Sequence, residues 1–257
     1  MGKKYRTEEE KDGLLRIIAL RDFSDVKKGD RGGLISQESN LSHEGDCWIY
    51  EDAIVADDAQ VLDNAQVYGE ARVYGNAWIC GNAKVYGDAR VLGHAWVSEN
   101  AKIHGSAGVY GNAKVSGKAE ICGCAWACGD AKVEGKAKIY ESAGVYDNAK
   151  VWGNAQVYNS AEVCGSARIS GNAKVSGQAR AWQKAHIGGN VKLRSTEISY
   201  ITTSIENNKD YTILIIKQKF FVFPNPAKDP IDGCFPITVE NYLNNIQTIR
   251  QLYGEKV

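Results

Sequence analysis

Neither sign of charge prevails in this sequence. Lys plus Arg and Asp plus Glu each number 31, so bulk polyanion binding and mimicry of DNA are both excluded as primary roles. There is no apolar run long enough for a membrane span, and the opening MGKKYRTEEEKDG is polar where a signal peptide would need an apolar stretch. The 7 cysteines are an odd number without framework spacing, which argues against a disulfide scaffold and for reduced thiols in a cytoplasmic protein. The scarcities are also uneven. Proline does not occur before Pro224, tryptophan is confined to Trp48–Trp182, and no threonine falls between Thr7 and Thr196. The middle of the chain therefore follows rules of its own.

Those rules are a six-residue beat. Alanine occupies every sixth position from Ala53 to Ala185, 23 times in succession, and an aliphatic residue follows two places later. Only Ala127 and Ala181 break the second series. Ala-x-Val is strand alternation, so both side chains point to one side. Gly, Asn or Asp comes next, and these residues tolerate the left-handed backbone of a sharp corner. Strand and corner repeated without a helix predict a coil with three six-residue sides per 18-residue turn. Ala and Val fill its narrow interior, each buried Val contributing about 1.5–3 kcal/mol. Stability then accumulates from turn to neighbouring turn. Residues 46–195 have room for roughly eight turns at the usual strand spacing. Residues 1–45 are expected as an N-terminal cap. Residues 196–257 are expected as a small α+β unit, with strands in EISYITTSI, YTILIIKQ and KFFVF and a helix beginning at Thr238.

The V-x-G-N-A-x beat resembles the hexapeptide repeat of left-handed parallel β-helices. With ALRDFSDVKKGDRGGLISQESNLSHEGDCWIY (Ala19 to Tyr50) before it and DGCF (Asp232 to Phe235) after it, the chain is similar to the YdcK-like hexapeptide proteins of enterobacterial genomes, prophages and phages. The resemblance implies an all-β solenoid and, through the label many such proteins carry, acyl transfer from acyl-CoA. It also implies a trimer, the usual assembly of this kind of helix. The chain departs from the usual repeat by placing Tyr, Ser, Cys, Leu or Trp after the aliphatic residue.

Stacking residues 18 apart turns the sequence into a surface map. One column reads Trp78, Trp96, Lys114, Lys132, Lys150, Arg168 and His186, with Glu134 as the nearby acid. Four cations about 4.8 Å apart lie within the screening length of roughly 10 Å at 0.1 M salt. Such a strip suits phosphate-bearing ligands, acidic protein surfaces or nucleic-acid strands, and the same lysines also serve as solubilising residues. A second column runs Gln66, Lys84, Lys102, Glu120, Lys138, Gln156 and Lys174. A third runs Tyr68, Tyr86, His104, Cys122, Tyr140 and Tyr158. Exposed aromatic columns point to a protein contact or to self-association.

Catalysis has less to stand on. Acyltransferases of the hexapeptide class use a histidine as general base, and here His104 is the best-placed candidate, with acetyl-CoA as the implied cofactor. No carboxylate is evident beside it, and no loop interrupts the beat. Cys122, Cys124 and Cys128 diverge onto different surfaces, so no metal site is expected from them. Trp126 is expected to lie over bare backbone at both Gly108 and Gly144. Outward threonine ladders, which ice binding would need, do not occur in the repeats. The expected function is a non-enzymatic binding or scaffold protein with a protein partner and no nucleic acid. The resemblance extends this to a phage- or prophage-encoded modulator of a host protein. Acyl transfer is the alternative.

Overall fold

A computed structural model describes residues 2–182 and 184–195, together with the strands Ile198–Ile205, Lys209–Ile216 and Lys219–Pro224. The repeats form a three-sided parallel β-solenoid of about nine turns. Most sides are two-residue strands, and every third one pairs in parallel, so the three faces become sheets of 11, 9 and 8 strands, the first extended at its N-terminal end by antiparallel strands. The register is the expected one: Trp96 stands beside Trp78 and Lys114, and Lys102 beside Lys84 and Glu120. Every repeat alanine from Ala53 to Ala185 is buried, as are the aliphatic residues that follow. The interior is thus a continuous ladder of small and branched side chains.

The corners explain the third member of the beat. The corner residue has a positive φ, as at Gly117 (φ 74°). A Cβ on Gly117 would lie 2.7 Å from the Gly135 carbonyl oxygen one turn on. At several corners an aspartate takes this place and its side chain bonds upward. Asp57 and Asp63 accept the Gly75 and Gly81 amides at 2.9 and 2.8 Å, and Asp147 accepts Gly165 at 2.9 Å.

The coil begins earlier than residue 46, and this accounts for the extra turn. Strand β1 (Tyr5–Glu9) pairs antiparallel with β2 (Leu15–Ala19), and β2 with β3 (Arg31–Ile35). β3 then pairs in parallel with Ile54–Val55. The hairpin covers the first open edge, which would otherwise be a template for pairing. Leu34 and Leu41 meet partners 20 residues on, at Ile54 and Val61, whereas Trp48 meets Gln66 18 residues on. The corner between Leu41 and Trp48 is therefore two residues longer than the rest. Lys4 fills it: its buried ammonium donates to the carbonyls of Cys47 (2.9 Å), Gly45 (3.3 Å) and Glu44 (3.4 Å). Burial lowers the Lys4 pKa, and these acceptors satisfy the group in place of water.

At the other end, Lys192–Ser195 pairs with Lys174–Gly177 as the last rung. The three strands expected in the C-terminal unit form an antiparallel sheet. The helix expected from Thr238 lies outside the described residues. Among the described residues no helix is long and apolar enough to cross a membrane.

Candidate functional site

The 8-stranded sheet carries the tryptophan and cation column. Register places Trp78, Trp96, Lys114, Lys132, Lys150, Arg168 and His186 in one row. Trp78 and Trp96 are 39% and 42% exposed, with ring centroids 5.6 Å apart. The Lys114 ammonium lies 5.8 Å from the centroid of Trp96, so the row of rings passes into the row of charges through a cation–π contact. No carboxylate lies within ion-pair distance of Lys114, Lys132, Lys150 or Arg168 among the described residues, Glu134 included.

The 9-stranded sheet carries the two other columns side by side. Tyr68, Tyr86 and His104 stack as parallel rings at 4.7 Å intervals, and Tyr140 stacks on Tyr158 at 4.9 Å. Cys122 occupies the gap between the two stacks. Beside this gap, His104 Nε2 lies 2.9 Å from Glu120 Oε1, and the Lys138 ammonium lies 2.7 Å from Glu120 Oε2. The expectation that no carboxylate orients His104 is therefore corrected. Glu120 does so, with both side chains about a quarter exposed. The Lys138 ammonium, and then His104, hold the Glu120 carboxyl below its ordinary value. Burial raises the Cys122 thiol.

Columns of residues 18 apart do not bring Glu120 beside His104. The contact is diagonal, from the residue after one aliphatic position to the residue before the aliphatic one turn on. That spacing is 16, and it recurs. Gln66 donates to the Tyr50 hydroxyl at 3.1 Å, and Tyr146 donates to Glu162 at 2.9 Å.

On the remaining sheet, the Trp126 indole does lie on bare backbone at Gly144, where a Cβ would meet its ring at 2.6 Å. Gly108 is covered instead by the Tyr110 ring, which corrects the expectation that Trp126 spans both glycines. Of the three neighbouring cysteines, Cys124 is exposed at a corner, and Cys128 follows Trp126 on this sheet. Cys122 stands with His104 and Glu120, their ligand atoms all within 4.8 Å of one another.

Two comparisons bear on this arrangement. The family described as "YdcK Beta solenoid repeat" matches residues 65–81. The chain is also 43% identical over 67 residues to the Escherichia coli (strain K12) protein named "Uncharacterized acetyltransferase YdcK". That match covers 21% of this chain and 21% of that protein. The chain spans about a fifth of the relative it matches.

Proposed function

We propose that this protein is a rigid binding protein, and that the row from Trp78 to Arg168 docks an acidic surface of a protein partner. The observation that carries this reading is the unneutralised cation row continuing from two exposed, stacked tryptophans. A solenoid holds such a row at fixed spacing without ordering any loop, so little conformational entropy is lost on docking. Self-association along a flat face, as a trimer, fits the half-buried aromatic columns of the other sheets. The repeat resemblance sets the context, a phage or prophage protein acting on a host protein.

The test is charge reversal. Lys132→Glu combined with Lys150→Glu changes only outward side chains and is expected to leave the circular dichroism spectrum unchanged. Bait carrying both changes is expected to lose the partner that wild-type bait recovers from host lysate. Equal recovery by both baits would remove the cation row from the function.

A second reading, acetyl transfer, is favoured by one specific observation, the His104–Glu120 contact. A carboxylate on Nε2 fixes the ring and leaves Nδ1 as the basic nitrogen, the arrangement a general base needs. The name of the Escherichia coli relative points the same way. Calorimetry with acetyl-CoA separates the two readings. Micromolar binding, with acetyl transfer lost in His104→Ala, would establish the enzyme; the binding reading expects no heat.

A further inference from the structure

We propose that His104, Glu120 and Cys122 form a site for one divalent transition-metal ion of zinc-like preference. The three ligand atoms lie within 4.8 Å of one another, and no other group of this kind occurs among the described residues. Imidazole, carboxylate and thiolate together suit zinc or cobalt, and the sulfur and nitrogen donors disfavour magnesium and calcium.

The surroundings hold each ligand in place. His104 is stacked flat on Tyr86, with 5° between the rings, which sets the plane of its lone pairs. Lys138 engages Glu120 Oε2, leaving Oε1 aimed at His104. This is the outer support that metal-binding carboxylates commonly have. The Lys138 charge also opposes the ion, so the site is expected to bind with moderate affinity. Cys122 sits where the ring ladder is interrupted, and all three residues of the cluster are part-exposed. The open side leaves room for a water as fourth ligand, as in three-ligand zinc sites.

Binding requires the atoms to draw together by on the order of 1 Å, to reach bonds of about 2.0–2.3 Å. The ion takes His104 Nε2 in place of the proton that the ring shares there with Glu120, and that proton moves by way of solvent to Nδ1, so the imidazole stays neutral. The thiol proton leaves to solvent, and nothing is oxidised or reduced.

The site lies on a different sheet from the cation row, so it can fail without touching the binding reading. It also competes with the acetyl-transfer reading, because a bound ion removes the freedom of His104 to act as a base. The experiment uses the full-length protein, stripped with a chelator and titrated with cobalt(II) chloride. One equivalent is expected to produce a thiolate-to-cobalt charge-transfer band that zinc chloride abolishes. Cys122→Ser is expected to remove the band, and His104→Gln to weaken uptake more than about tenfold. Cys124→Ser is expected to change neither. Circular dichroism checks that all variants keep the fold. Absence of saturable uptake, or a band that survives Cys122→Ser, would overturn the site.

Discussion

Glu120 shows how much a single outward residue can do on a repetitive surface. It links Lys138, one turn on, to His104, one turn back, and so joins three rungs of one sheet. Its folded pKa lies below the ordinary 4.5. The ionised form is therefore favoured by the fold, and the stabilisation it brings is present above pH 4.5 and lost as pH falls through the lower folded value. Glu120→Gln removes this titration. The stability gap between wild type and the variant, from urea midpoints, is expected to be constant above pH 4.5 and to narrow below it. A gap that does not narrow on acidification would mean the carboxylate is not held this way. The inward residues were legible in the sequence because Ala and Val have one place to go. The outward contacts were less so, since a column map shows only neighbours 18 apart. His104 with Glu120, and Tyr146 with Glu162, obey a 16-residue diagonal that becomes apparent once side chains are seen to lean along the strand.

The repeating element is a two-residue strand and its corner, and the corner decides whether the coil continues. Gly, Asn and Asp marked the corners correctly, since each tolerates positive φ. The upward bonds of the acidic corners were not legible, because they depend on the amide of a corner a full turn away. Asp63 combines both features, with φ 58° and a 2.8 Å bond to the Gly81 amide. Asp63→Ala keeps the unfavourable backbone and loses the bond, and is expected to cost about 1–2 kcal/mol, in the range of a lost helix cap. Asp63→Gly also loses the bond but relieves the backbone, so it is expected to cost clearly less. Urea unfolding of the two variants checks the order, and equal losses would show that the bond alone matters. The corner between Leu41 and Trp48 escaped the sequence reading for a related reason. Its two extra residues make sense only beside Lys4, which is some 40 positions earlier and fills the widened space.

For the molecule as a whole, stability in such a coil is a sum over neighbouring turns, so its length is a free variable while its phase is not. The inward ladder requires that any insertion or deletion be a whole number of six-residue sides, and the outward columns require that it be a whole turn. Removing residues 156–173 joins Ala155 to Lys174, which stands in register with Gln156 in the intact chain. Every remaining Ala and Val then still points inward, and the N-terminal hairpin and the His104 cluster are untouched. The shortened protein is expected to remain soluble, to keep its β spectrum and to unfold in one cooperative step. Its denaturant slope should fall, because less surface is exposed on unfolding. Removing residues 156–164 instead takes out half a turn. Inward alanines and valines would then meet corner positions, burying polar corner residues without partners and exposing the aliphatic ladder. That variant is expected to be insoluble or unfolded. If the half-turn deletion folded as well as the full-turn deletion, the inward phase of the six-residue beat could not be what holds the solenoid together. The cation row and the ring columns, which arise only because three such sides close one turn, would lose their physical basis.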